Sequence, residues 1–388
     1  MSVEYARTAV ETDVDESQCN ALHDAAENNN FGAVDVLLSR GWNPNARNKL
    51  GCTPLHIACV CASEKVVQRL VAAGGNINEK CNLGRTPLYM AVARNNFVGV
   101  NITRNLIKAD ADLYCYNNNG HLPIHVASYF GNKDMVQLFL DKGMSIDVMT
   151  QDDTMVCLHF AIKSENPEML KFLLDKGASV KIGREKLTET ICPPMTPLKY
   201  CLDKYFEDEN PKGSMCRLLL NAGADVNTRC YMHSTVAAFA AYYPEHINLL
   251  QLCLDKKAHI DKRNTLGETP YANACWGGNI AAMELLKKHN TPLDNGDIDE
   301  DTVSDTFYYH SGLGAACRAG KPESVRLALK HGARTDGLYG LHAMLNVLEV
   351  EDENARAECI SALHEAGVRI DESTLEPYKN ERASSDEE

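Results

Sequence analysis

The sequence predicts an all-α repeat protein, and three observations carry that expectation. The phrase Gly51-Cys52-Thr53-Pro54-Leu55-His56-Ile57-Ala58 returns 33 residues later as Gly84-Arg85-Thr86-Pro87-Leu88-Tyr89-Met90-Ala91, and fainter copies recur along nearly the whole chain. The phrase opens the first of two apolar stripes at helical spacing, and the second stripe ends at a glycine. Self-similarity at a fixed period overrides the two or three globular domains that 388 residues would otherwise suggest, and points to one elongated stack.

Within one period the first helix begins at Thr53, a good N-cap, with Pro54 at the first helical position, where a missing N–H costs nothing. Leu55, Ala58 and Cys59 form its narrow apolar stripe, whose small members let neighbouring helices approach closely. The second helix carries Val66, Val67, Leu70 and Val71 and closes at Gly74, which takes a left-handed cap conformation at no steric cost. The segment Asn76 to Leu83 then forms an exposed loop leading to the next unit.

Composition narrows the function classes. Hydrophobic residues make up 44% of the chain, enough for a continuous core, and no apolar run approaches the roughly 18 to 20 residues of a membrane span. Residues 1–18 hold Glu4, Glu11, Asp13, Asp15 and Glu16, so they are expected to be an acidic extension without a secretory signal, on a protein of the cytoplasm with nuclear entry open to it. Fifteen cysteines, odd in number and scattered through the predicted helices, imply reduced thiols and no disulfide framework. A net charge of −14 argues against nucleic acid as a partner and against anionic membrane surfaces.

Phrases such as T-P-L-H-x-A and Gly223-Ala224-Asp225-Val226-Asn227 resemble the ankyrin repeat. The resemblance implies an ankyrin-type solenoid of antiparallel helix pairs with projecting β-turn loops, spanning residues 19–371 in nine to ten units. The first unit, with Leu22-His23 and Val36-Leu37-Leu38, has lost its T-P, as suits an end cap. The second and third are the two quoted above, the third lengthened by three residues. His121-Leu122-Pro123-Ile124-His125 opens the fourth and Cys157-Leu158-His159 the fifth. Thr196-Pro197-Leu198 marks the sixth. The seventh, around Thr235 to Asp261, lacks the phrase and leaves its register open. Thr269-Pro270 recovers it in the eighth, Leu313-Gly314-Ala315-Ala316 marks the ninth, and a degenerate tenth runs from Leu341 to Gly367. Insertions fall at 184–194, 206–213 and 295–309, and 372–388 is expected to be a disordered acidic tail.

The candidate metal and catalytic groupings in the sequence do not form a site. His23, His56, His125, His159 and His342 occupy one slot of the repeat and so lie about a repeat apart, too far to converge on a metal or substrate; the slot predicts a structural role at the helix start. Asp297, Asp299 and Asp301 open like a calcium loop, but Thr302 and Tyr308 stand where glycine and glutamate are needed. No cofactor, metal or catalytic residue is assigned.

The ankyrin resemblance implies instead a recognition groove lined by the loop before the conserved glycine, the residue after it, and the two residues after the A-A of the first helix. These are Cys52, Val60 and Cys61 in the second unit, Arg85, Ala93 and Arg94 in the third, and His121, Tyr129 and Phe130 in the fourth. Glu268 and Trp276 follow in the eighth and Arg318 in the ninth, while Tyr114 and Tyr116 extend the strip. Arg85, Arg94, Tyr114, Tyr116, His121, Tyr129, Phe130 and Trp276 are the candidate partner-binding residues, because aromatic and arginine side chains dominate interfaces. Asn227 matches the family's hydroxylation acceptor. The expected function is a non-catalytic, monomeric adaptor or scaffold that binds one or more proteins. A substrate-recognition subunit of a ubiquitin ligase and an enzyme with an unrecognised site in 230–309 are the alternatives, and the 17 residues after Asp371 are too few for the extra helical box the former requires.

Overall fold

The structure, a computed structural model, describes residues 20–152, 154–182, 195–207, 213–230, 233–293 and 311–368. Twenty helices fall within them as ten consecutive pairs, one pair for each unit read from the sequence. The chain divides into two compact units, Met1–Tyr200 and Cys201–Glu388. The first contains α1 (Asn20–Glu27), α2 (Phe31–Ser39), α3 (Pro54–Cys61), α4 (Glu64–Ala72), α5 (Pro87–Ala93), α6 (Phe97–Lys108), α7 (Pro123–Tyr129), α8 (Lys133–Asp141), α9 (Cys157–Lys163) and α10 (Pro167–Asp175). The division falls within α11 (Pro197–Glu207), and the second unit contains α12 (Gly213–Asn221), α13 (Val236–Tyr242), α14 (Ile247–Asp255), α15 (Pro270–Gly277), α16 (Ile280–Lys288), α17 (Gly312–Arg318), α18 (Pro322–Lys330), α19 (Gly337–Leu348) and α20 (Glu353–Glu365).

Within each unit, first helices pack on first helices and second on second, as in α3 between α1 and α5, or α15 between α13 and α17. The burial follows from that sandwich. Every residue of α5 and all of α3 through Val60 are buried, whereas α4 buries only Val66, Val67 and Leu70 and turns its polar side outward. Among the described residues there is no strand beyond an isolated bridge between Arg229 and Thr235.

The starts of the helices explain the sequence phrase. Thr86, Thr235, Thr269 and Ser311 each accept, at the side-chain oxygen, the backbone N–H three residues on. Second helices use asparagine for the same purpose: Asn30, Asn96, Asn132, Asn166 and Asn279 each accept from the third residue beyond. The loops are four-residue turns, in which the Gly51 N–H donates to Asn48 O at 2.8 Å and the Gly84 N–H to Cys81 O at 2.8 Å. Gly51 is at φ 70°, and a Cβ there would strike the Asn82 side chain of the next loop, so glycine is required twice over.

Three ladders of hydrogen bonds join neighbouring repeats of the first unit. His23, His56, His125 and His159 each place Nε2 within 2.9–3.0 Å of a carbonyl of the following repeat, at Cys52, Arg85, Val148 and Met195. Side-chain oxygens of Asn45, Asn78 and Asp147 accept from Asn76, Asp112 and Ser179. At the loop tips the N–H of Asn82 donates to Leu50 O, that of Asn118 to Leu83 O, and that of Gln151 to Gly120 O. The second unit repeats the middle ladder where Asn227 Oδ1 accepts from His259 N at 2.8 Å.

The seventh repeat, whose register the sequence left open, is a regular pair, α13 capped by Thr235 and α14 after a short 3-10 turn at Pro244–His246. α6 has twelve residues where the other second helices of the first unit have nine, which accommodates the expected insertion. The extension 1–18, the segments 184–194 and 295–309 with the calcium-like aspartates, most of 206–213 and the tail 372–388 lie outside the described residues.

Candidate partner-binding site

The residues assigned to recognition sit at two kinds of place: the loops, and the C-terminal ends of the first helices, where these emerge from the packed layer. Tyr129 ends α7 and Phe130 caps it, both half-buried, with ring centroids 5.4 Å apart in an edge-on arrangement. The Phe130 carbonyl accepts from Asn95 Nδ2 at 3.2 Å, so the preceding repeat fixes the position from which the ring projects. Arg94 caps α5, and its Nη1 donates to Ala62 O at 2.6 Å. It lines a cleft shared with Asn29, Cys61, Ser63, Glu64, Lys65 and Gln68. Arg94 therefore has a structural partner as well as a surface.

In the loops, Tyr114 is 54% exposed, its backbone held by Asp112. Tyr116 is half-buried; its hydroxyl donates to Met149 O at 3.4 Å and its carbonyl accepts from Lys80 Nζ at 3.0 Å, linking three successive loops. Arg85 lies with its guanidinium carbon 5.5 Å from the centre of the Tyr89 ring. His121 packs edge-on against Phe160 at 4.9 Å, and burial, helped by the Lys163 charge, lowers its pKa, which keeps the ring neutral. All seven candidates of the first unit thus fall on its loops and first-helix ends.

The face is narrower than expected at three positions. Val60 is 9% exposed and Ala93 2%, because the first helices that carry them pack closely on their neighbours, and Cys52, in the turn that leads into α3, is 1% exposed.

In the second unit Trp276 is half-buried near the end of α15. Its neighbour Gly277 packs so tightly on Tyr242 that an added Cβ would strike the Tyr242 carbonyl oxygen. Tyr242 ends α13, with Tyr243 4.7 Å from it between ring centroids, and Phe239 and His246 complete the group at 5.3 and 5.9 Å from Tyr243.

Family models for ankyrin repeats match residues 22–113 and 93–184, and a further ankyrin repeat model matches 236–286. The chain belongs to the ankyrin repeat family. A human relative, transient receptor potential cation channel subfamily A member 1, is 32% identical over 123 residues, which is 31% of this chain and 11% of the channel subunit. The chain thus matches about a tenth of that relative's length. Among solved structures, the ankyrin repeat domain of Bcl-3, described as a member of the IkappaB protein family, is 24% identical with a TM-score of 0.44, covering 57% of this chain and 93% of that one.

Ankyrin register also locates the residues that the sequence reading missed. In the seventh repeat the two positions after the A-A pair, Ala240-Ala241, are Tyr242 and Tyr243, and they correspond to Tyr129 and Phe130 of the fourth. The signal was present but unanchored, because no T-P-L-H precedes it. The histidine slot, by contrast, is filled by inter-repeat hydrogen bonding in the first four of its members. Asn227, the residue matched to hydroxylation, is engaged in the ankyrin loop ladder.

Proposed function

We propose that this chain is a non-catalytic interaction protein, an adaptor or scaffold that grips another protein with the loop and first-helix face of its ankyrin repeats. Ankyrin repeats are generally protein–protein interaction modules. The supporting observation is a set of aromatic and arginine side chains at the ends of the first helices of each compact unit, Arg94, Tyr129 and Phe130 in the first and Tyr242, Tyr243 and Trp276 in the second, which are only half-buried although such groups gain most from full burial. Neighbouring repeats hold the Phe130 carbonyl through Asn95 and the Arg94 guanidinium through Ala62 O, so these two have less ordering entropy to lose on binding.

The test replaces Tyr129 and Phe130 together by alanine in the full chain and compares what co-purifies with each form. Loss of specific partners from the folded variant is the expected result. An unchanged set of bound proteins would remove these residues from the recognition face.

A further inference from the structure

We infer that the loop and first-helix face from the second to the fifth repeat receives an acidic, extended segment of a partner protein, an inference that rests on the interaction reading and specifies its ligand. Charge carries it. From Arg40 to Gly183, the span of the second to fifth repeats, there are sixteen Lys and Arg against twelve Asp and Glu, an excess of +4 in a chain of net charge −14, so the remainder carries −18. A local reversal of that size in an acidic protein is a directed feature of the surface.

The cations gather where partners would dock. Arg47, Lys49 and Lys80 are exposed on the loops, Lys163 is exposed at the end of α9, and Arg85 and Arg94 are half-buried between them. The nearby carboxylates Glu64, Glu79, Asp112 and Asp152 keep their charge but are fewer than these six cations, and each is held by local donors, Glu64 by Asn105 Nδ2. Glu79 accepts from Arg47 at 2.5 Å and from Asn76. Asp112 accepts from the Tyr114 N–H and the Cys115 thiol, and Asp152 from Thr150 Oγ1. Several of the cations are also preset in position: Lys80 by Tyr116 O, Arg94 by Ala62 O and Arg85 over Tyr89. The bond to Ala62 uses one of the five N–H donors that a guanidinium carries.

The choice of a peptide over a nucleic acid follows from what lies between the charges. Leu83 is 49% exposed and Tyr114 54%, so the face alternates cation and apolar group, which suits a chain of mixed acidic and aliphatic side chains. A long polyanion would also run against the −18 carried elsewhere.

The test uses the full chain and a fluorescein-labelled peptide of Glu-Glu-Leu repeats, about 12 residues long so that it spans several loops. Its fluorescence anisotropy is compared with that of a Gln-for-Glu counterpart and of an oligothymidylate. Binding of the Glu peptide, little binding of the Gln peptide, and steep weakening between about 50 and 300 mM salt are expected. Lys49→Glu, Lys80→Glu and Lys163→Glu together should weaken it by about tenfold or more, with the melting temperature retained. The Lys→Gln triple variant should act in the same direction if the reversed charges impair folding. Equal binding of the Gln peptide, tighter binding of the oligothymidylate, or a folded charge-reversed variant that binds like the parent would each overturn the inference. If the Glu peptide is ignored while the Tyr129, Phe130 double variant still loses its co-purifying proteins, the acidic ligand falls and the interaction reading stands.

Discussion

A histidine ring that accepts at one nitrogen and donates at the other can join two repeats only while it is neutral. His125 accepts the Leu122 N–H at Nδ1, 3.1 Å away, and reaches Val148 O with Nε2 at 2.9 Å; His56 and His159 do the same with Thr53 and Arg85, and with Val156 and Met195. Protonating Nδ1 would set a hydrogen against an N–H donor. Burial accordingly pushes all three rings down from 6.5 to about 4. Because the folded value lies below the unfolded one, the unfolded chain takes up protons first as pH falls. The stability these rings contribute is complete above pH 6.5 and is lost progressively between 6.5 and about 4. Melting temperature measured from pH 7.5 downward should fall across that window, and His125→Gln should make the slope shallower while lowering stability at neutral pH by about 1–3 kcal/mol. A slope unchanged by the substitution would assign the acid sensitivity to other groups. Thr103 makes the opposite case, since it is fully buried in α6 and its hydroxyl has no hydrogen-bond partner among the described residues. Thr103→Val keeps the shape and removes the unsatisfied oxygen, so thermal unfolding should show a gain of about 1 kcal/mol or no loss.

At the scale of the element, the helix starts were the most legible part of the sequence, because Thr-Pro combines a cap with a preset backbone and the two signals agree. The second helices were legible by their apolar stripes, while their asparagine caps went unnoticed: Asn30 or Asn132 in isolation reads as a loop residue, and only the structure shows the oxygen accepting from the third residue beyond. The groove positions were read from the register of Gly and A-A, which located Tyr129 and Arg94 but could not show that Val60 and Ala93 are absorbed into the layer between first helices. That depends on how closely the helices approach, a property of pairs of repeats. Gly277 shows how close that approach becomes. A methyl group there would collide with the Tyr242 carbonyl oxygen, a backbone atom that cannot rotate away. Gly277→Ala should therefore cost about 1–3 kcal/mol despite alanine's better helix propensity, and it should displace Trp276. Denaturant unfolding reads the first effect and Trp fluorescence the second. A variant as stable as the parent would show that α13 and α15 can separate cheaply.

For the whole molecule, the period of the sequence set the number of helix pairs, since each pair is one supersecondary unit that buries its apolar face only against its neighbours. What the period could not supply was the partition into two compact units near Tyr200, because that rests on the density of contacts across a point in the chain and leaves no mark in the repeat phrase. The consequence is that stability should be distributed by neighbourhood. Leu170 in α10 and Leu250 in α14 are both fully buried, one in each compact unit. Truncating either to alanine removes the same methyl groups from a packed layer, at a cost of about 2–5 kcal/mol set by how far the layer can collapse. In a globule with one core the two losses would speed amide exchange alike over the whole chain. In a stack whose terms are nearest-neighbour couplings, Leu170→Ala should raise exchange first in the repeats beside α10, and Leu250→Ala first in those beside α14. Hydrogen exchange followed by mass spectrometry on the two variants resolves the difference. Uniform acceleration from either substitution would mean that folding is cooperative over all ten pairs, and that the division near Tyr200 is one of geometry without being one of energy.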